Sequence, residues 1–404
     1  MSITLLGLQV AHGFSPEARV FAGLLAHTDP AVVAASVLFQ GRPQDRKAAD
    51  QFGAAAGSFG AGAGSAVVPL DFGWRSVAPG RSLPEKLRSR FQFYAALPDA
   101  LKAAQRAGPD VIYSCQQLWD CQAATYIARK MGKPQLIHLH YTIGPWLHTP
   151  VLKRLLTCDH VITVSDFIRE EALRHGVRPE KVTTIRNTAP ALSVPEPGAR
   201  ESVRAEIGAA PGTRLLGIVA RLDPNKGQAD TLTAFAEARK RFPDSRLLVI
   251  GDNSPWYPDY AKTLHGLAGT LGLVNGVHFL GRRADVSRLL ASLDIFVHPS
   301  RQDPCPLAVL EAADAGLPIA AYAEGGAIEL IEDGVTGLLA PPGDVPALAW
   351  ALEILLGSPA RAQAMGQAGR ERLAREFQPE KRSREFEEIV RQAVTLGGGP
   401  KKPA

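Results

Sequence analysis

Residues 298–344 read HPSRQDPCPLAVLEAADAGLPIAAYAEGGAIELIEDGVTGLLAPPGD. The segment begins where the apolar run Ile295–His298 ends and continues through a loop rich in Pro and Asp. A stretch of helical composition, Leu307–Ala315, leads to a second apolar run, Pro318–Ala321. Strand, loop, helix and strand form the repeating unit of a parallel, doubly wound sheet. Two carboxylates sit in this unit. Asp303 precedes the helix, and Glu311 lies inside it among Leu307, Val309 and Leu310. A carboxylate in such apolar surroundings needs a partner, and the vicinal hydroxyls of a ribose would supply two donors. Gly325 and Gly326 follow the second strand. Lacking side chains, they let backbone approach a ligand closely.

The same pattern extends upstream. GIVARLDPNKGQADTLTAFAEA (217–238) is a strand, a loop and an amphipathic helix. Arg221 and Lys226 stand five apart across that loop, at the carboxyl edge of the expected sheet. A planar guanidinium beside a compact ammonium suits a diphosphate, and the following helix N-terminus adds a favourable field. Further apolar runs at Arg246–Ile250, Val277–Leu280 and Leu338–Leu339 complete one doubly wound unit. Backbone at 251–254 and 281–283, with Gly251 and Arg282, would border a nucleobase; Arg282 and Arg283 also suit plain surface charges.

A second series precedes it: Ile3–Val10, Ala31–Phe39, Ala66–Leu70, Val111–Ser114, Gln135–Leu139, Val161–Val164 and Val182–Ile185. Helical segments such as Pro98–Ala107, Cys121–Met131 and Asp166–His175 lie between them. Three prolines in APALSVPEPGAR (189–200) mark a break between the two series. The expected organisation is α/β: a first Rossmann-like domain over 1–190, a linker at 191–200 and a second such domain over 201–378. A helix at 379–396 would pack back toward the first domain, and a disordered tail would cover 397–404. Two such sheets would turn their carboxyl ends to a common cleft. The glycine-rich run Gly53–Gly64 precedes a strand instead of following one, so it reads as a flexible loop and not as a dinucleotide motif.

Composition narrows the classes. The 404 residues exceed what one core supports, and 46% hydrophobic with 21% charged residues is ordinary for a globular chain. No apolar stretch approaches the roughly 18–20 residues of a membrane span, and the first residues read as a strand, so the expected location is cytoplasmic. Cys115, Cys121, Cys158 and Cys305 match no metal or redox spacing and read as reduced, mostly buried thiols. Residues 1–190 hold 21 Lys and Arg against 14 Asp and Glu, while the remainder holds 24 against 26. The basic first half, densest at Arg75, Arg81, Lys86, Arg88 and Arg90, suggests an anionic acceptor or peripheral contact with an anionic membrane. An ordinary solvated helix and loop would explain those five equally well. No recognition-helix pattern supports nucleic acid.

The segments at 214–345 resemble the retaining glycosyltransferases of family 4, and the likeness covers nearly the whole chain. It rests on the Arg–Lys loop, the acidic pair with seven residues between, the Gly-Gly turn and the closing DGVTGLLAPPGD. The resemblance implies the two-domain GT-B fold, a nucleoside diphosphate sugar as donor, retained anomeric configuration and a saccharide, lipid-linked or small-molecule acceptor. It implies that Arg221 and Lys226 meet the donor diphosphate, Glu311 the ribose and Asp303 the transferred sugar, with Pro306, Leu307, Gly325 and Gly326 lining the donor. His140, after the strand Gln135–Leu139, would stand near the donor sugar, and Gly13 near its phosphates. The chain departs from the family at Asp303, where Glu is usual, and at His12-Gly13, where two glycines are usual. No Asp-x-Asp motif is evident, so no metal and no cofactor are expected. A sugar-nucleotide epimerase of the same fold and a non-catalytic nucleotide-sugar-binding protein remain alternatives.

Overall fold

The computed structural model describes residues 2–9, 15–40, 46–56, 66–72, 82–115, 118–144, 147, 149–189 and 197–397. They form two compact units, Met1–Thr188 with Gln378–Ala404 and Ala189–Phe377. The first unit runs β1 (Ile3–Gln9), α1 (Pro16–Ala26), β2 (Val33–Gln40), α2 (Arg46–Ala55), β3 (Ala66–Leu70), α3 (Leu83–Ala107), β4 (Val111–Cys115), α4 (Leu118–Met131), β5 (Gln135–Leu139), α5 (Thr149–Thr157), β6 (His160–Thr163), α6 (Asp166–Arg174) and β7 (Val182–Thr184). Its seven parallel strands are ordered β3-β2-β1-β4-β5-β6-β7. Successive strand residues serve opposite faces. Leu5 and Val37 join Phe21 and Phe52 on one side, while Leu6, Leu8 and Leu38 join Phe93 and Ile127 on the other. Helices cover both faces, which is why these strands are apolar throughout.

The second unit runs α7 (Ala199–Glu206), β8 (Leu215–Val219), α8 (Gln228–Arg241), β9 (Arg246–Ile250), α9 (Tyr260–Thr270), β10 (Val277–Gly281), α10 (Val286–Ser292), β11 (Ile295–His298), α11 (Leu307–Asp314), β12 (Ile319–Tyr322), α12 (Ala327–Leu330), β13 (Gly337–Ala340), α13 (Val345–Gly357) and α14 (Pro359–Glu376). Its six parallel strands are ordered β10-β9-β8-β11-β12-β13. The last helix, α15 (Pro379–Gly397), returns to the first unit. There Phe386, Ile389, Val390 and Ala393 enter the core beside Phe21 and Tyr113. Ser383 donates to the Leu24 carbonyl at 2.8 Å, and the Asp29 N–H donates to Glu387 at 2.8 Å.

Three expectations need correction. α3 begins at Leu83 and not at Pro98. Ser82 and Glu85 form a capping box, Pro84 sits in the first turn, and the helix runs on through Pro98 to a left-handed Gly108. Gly53, Ala54 and Ala55 close α2 instead of opening a loop, and the rest of that glycine run lies outside the described residues. Ala199 and Arg200, expected in the linker, already belong to α7, which starts after Gly198 at φ 82°. The four cysteines are buried and unbridged. Among the described residues no helix is long and apolar enough to cross a membrane.

Phe386 is fully buried, with its ring centroid 5.7 Å from Tyr113 and 6.4 Å from Phe21. Phe386→Ala should therefore lower the unfolding free energy of the first unit by about 3–5 kcal/mol. Denaturant titration measures this, and a loss below about 1 kcal/mol would mean that α15 does not complete this core.

Candidate active site

In the second unit the strand order reverses between β8 and β11. Ligands of open α/β sheets bind beyond the carboxyl ends of the strands at such a switch point. The loop after β8 carries Arg221 and Lys226, and the loop after β11 carries Asp303. These loops meet. Lys226 Nζ lies 2.6 Å from Asp303 Oδ2, with the two side chains 23% and 13% exposed. The Ser300 hydroxyl donates to the same oxygen at 3.3 Å. Burial raises the Asp303 carboxyl, but Lys226, with His298 and the Ser300 hydroxyl, together outweigh it and hold the group below its ordinary value. His298 Nε2 stands 3.9 Å from the same carboxylate oxygen, beyond hydrogen-bonding range. Burial pushes its imidazole down to about 4, so it is neutral near pH 7.

Glycines make the close approach of these loops feasible. A Cβ on Gly227, at φ 71°, would lie 2.2 Å from the Pro299 carbonyl oxygen. One on Gly325, at φ 64°, would lie 2.5 Å from the Asp303 carbonyl oxygen, and one on Gly326 would lie 2.0 Å from that of Pro304. The Gly326 N–H donates to the Asp303 carbonyl at 2.7 Å, and the Arg301 N–H to Asn225 at 2.8 Å. Between these clamps Gln302 takes φ 50°, the one positive φ outside glycine among the described residues. Such strain persists only where surrounding contacts enforce it.

The remaining expected residues of the second unit follow the carboxyl ends of its strands. Arg221 is exposed, and its carbonyl accepts from Gln228 Nε2 at 2.7 Å. Gly251, at φ 143°, abuts the backbone of Ala220, whose oxygen would meet a Cβ at 1.8 Å. The Leu222 N–H donates to the Asp252 carbonyl at 2.8 Å, tying the loop after β9 to the one after β8. Pro306 caps α11, Leu307 is its first residue, and Glu311 is buried one turn in, 6% exposed. Arg282 is exposed at the end of β10. Arg283 is engaged by Glu206 and Asp285, so an ion network accounts for it. His12 and Gly13 lie outside the described residues.

His140 belongs to the first unit. It was expected to emerge beyond its strand, yet it is 8% exposed. Its ring packs on His138 at 4.1 Å between centroids, and burial pushes it down to about 3. His138 meets the Tyr113 hydroxyl at 2.8 Å through Nδ1. Sequence reasoning missed His298, Ser300, Gln228 and the packing role of Gly227. His298 had a signal, since it ends the strand five residues before Asp303. Among the described residues no three His, Cys, Asp or Glu side chains are grouped to hold a metal ion.

The family profile "Glycosyl transferases group 1" matches residues 199–372. The profile "Glycosyltransferase Family 4" matches residues 58–189. The chain belongs to glycosyltransferase family 4. Within the family, it is 36% identical over 187 residues to a GDP-mannose-dependent phosphatidylinositol monomannoside mannosyltransferase of Mycolicibacterium smegmatis. That match covers 44% of this chain and 47% of the relative. A 2-deoxystreptamine glucosyltransferase of Streptomyces kanamyceticus is 28% identical over 312 residues, 70% of this chain and 77% of that one. The first of these matches thus spans about half of the relative's length. The structure of Anabaena HepE with UDP and glucose superposes with a TM-score of 0.78 at 21% identity, covering 96% of this chain and 99% of that one. Family 4 members of this kind share the GT-B fold, and the two Rossmann-like units here are that fold.

Two outcomes follow from the geometry. Gly326→Ala keeps an ordinary backbone angle but drives a methyl into the Pro304 carbonyl, so it should cost roughly 1–3 kcal/mol. It should also weaken nucleotide binding, whereas unchanged melting and binding would show that the loops need not pack this closely. The second outcome concerns pH. His298 is protonated less readily folded than unfolded, so its contribution is present above about pH 6.5 and lost as pH falls toward 4. His298→Gln should flatten stability across that window by at most about 3 kcal/mol; an identical pH profile would contradict the assigned burial.

Proposed function

We propose that the chain transfers a sugar from a nucleoside diphosphate sugar to an acceptor with retention of anomeric configuration and without a metal ion. Family membership supports the reaction class. The observation that carries the reading is the Lys226–Asp303 pair at the β8/β11 switch point, set between glycine turns and with Lys226 in the same loop as Arg221. In this reading Arg221 and Lys226 bind the diphosphate and stabilise the charge that grows on it as the glycosidic bond breaks. Charge-assisted hydrogen bonds of this kind contribute about 1.5–3 kcal/mol each. Asp303 accepts from hydroxyls of the transferred sugar, and Glu311 from the ribose. The leaving phosphate takes the acceptor's proton on the same face, so no enzymic nucleophile is required.

His140 enters this proposal on the resemblance alone. A neutral imidazole at that position would accept or donate one hydrogen bond without adding charge. The base and sugar of the donor stay open. One relative is named for GDP-mannose, and the HepE structure holds UDP and glucose. The acceptor is of the hydroxyl-bearing class, and the site proposed is that of the second unit.

The test is direct. Incubation with UDP-, GDP- and ADP-sugars and a panel of hydroxyl acceptors should release one nucleoside diphosphate, with EDTA making less than about a twofold difference. Proton NMR of the product should show the donor's anomeric configuration. Inverted product or complete loss in EDTA would contradict the mechanism. A rearranged sugar nucleotide formed without acceptor would instead mean an epimerase.

A further inference from the structure

α3 presents two apolar faces, of which only one is used. Ser89, Phe93, Leu97, Ala100 and Ala104 form its buried row against the sheet. Leu83, Leu87, Phe91 and Tyr94 form another row and are 69%, 57%, 75% and 49% exposed. At about 100° per residue these four fall within an arc of about 80°, centred about 120° from the buried row. Large apolar side chains exposed singly are ordinary, but a continuous stripe of them marks an interaction surface. The core contacts start only at Ser89, so the first turns of α3 carry the stripe into solvent.

Charge identifies what fits it. Arg90 borders the stripe on one side and Arg88 on the other, Lys86 stands a step further round beyond Arg90, and all three are exposed. The single acid between Leu83 and Tyr94, Glu85, is turned back on the helix start, where it accepts from the Ser82 N–H and hydroxyl at 3.0 Å each. Among the described residues no other acid of this stretch offsets the three cations along the stripe. A second copy of the chain would set like charges against like across such an interface. Lipid phosphates would neutralise them instead, while long basic stems spread along the apolar side chains.

We propose that this face of α3 rests in the surface of an anionic bilayer, with Leu83, Leu87, Phe91 and Tyr94 at the acyl boundary. Lys86, Arg88 and Arg90 lie at the headgroup phosphates. One helical face with a small cationic set gives reversible, salt-sensitive attachment, not insertion. The contact is independent of the transfer chemistry proposed above and would hold for the chain whatever its donor.

Co-sedimentation of the full chain with phosphatidylcholine vesicles, with and without phosphatidylglycerol, tests it. The chain should pellet with the anionic vesicles at low salt and stay soluble with the neutral ones. Leu87→Glu combined with Phe91→Glu should reduce binding at least roughly tenfold, with melting temperature and nucleotide binding unchanged. Replacing Lys86, Arg88 and Arg90 with Ser leaves the four apolar side chains of the stripe in place and should abolish the preference for anionic lipid, which keeps the test decisive where the glutamate variant misfolds. The proposal is overturned if the wild-type chain does not pellet with anionic vesicles or if neither variant changes binding. A wild-type dimer turned into a monomer by Leu87→Glu with Phe91→Glu would also overturn it, because the stripe would then belong to a second copy.

Discussion

The Lys226–Asp303 ion pair joins two loops that three glycines allow to pack closely at the switch point of the second unit. Two charges this far out of water are unfavourable singly, and removing one partner of a largely buried pair costs about 3–5 kcal/mol. The pair neutralises the loop junction by itself. An anion that draws Lys226 toward it must therefore leave Asp303 with another donor. A sugar hydroxyl is such a donor, and a diphosphate joined to a sugar supplies both halves of the exchange in one molecule. In the proposed reading, this coupling is the reason a cation, a carboxylate and close-packed glycines occur together at one switch point.

Much of this was legible in the amino-acid order. Alternating apolar runs located nearly every strand, because a sheet covered on both faces needs short, continuous apolar segments. The boundaries at Gln135–Leu139 and Arg246–Ile250 agree with the structure residue for residue. The spacing of Arg221, Lys226, Asp303 and Glu311 located the candidate site, because a loop after a strand can only open at the sheet's carboxyl edge. What stayed hidden depended on contacts between distant segments. That Lys226 meets Asp303, 77 residues away, follows from β8 lying beside β11. That Gly227 must be glycine follows from the Pro299 carbonyl across the gap. Neither is a property of a local stretch. The start of α3 was a different kind of miss: Ser82 and Glu85 are a readable capping box, but the proline at 98 suggested a later beginning.

Histidines divide by burial more than by position. His298 and His140 both follow apolar strand residues, and both are driven to the neutral form by the loss of water. For His298 this keeps a second positive charge away from Asp303, so that Lys226 remains the dominant cation beside the carboxylate. The shorter Asp303 draws that carboxylate back against Lys226 and Ser300. A glutamate at this position would reach about 1.5 Å further. In the proposed reading, the position at which the chain departs from the pattern it resembles is the one that meets the transferred sugar.

The proposed donor site requires Lys226 to exchange a carboxylate for a diphosphate. Calorimetric titration of a nucleoside diphosphate and of inorganic pyrophosphate into the wild-type chain and Lys226→Met tests this. Low salt and a temperature at which circular dichroism shows both proteins folded are the conditions to use. Lys226→Met should bind both ligands at least roughly tenfold more weakly, the loss expected for one charge-assisted contact. Equal affinity for both ligands in the two proteins would contradict the assignment of Lys226 to the diphosphate and, with it, the role given to the pair.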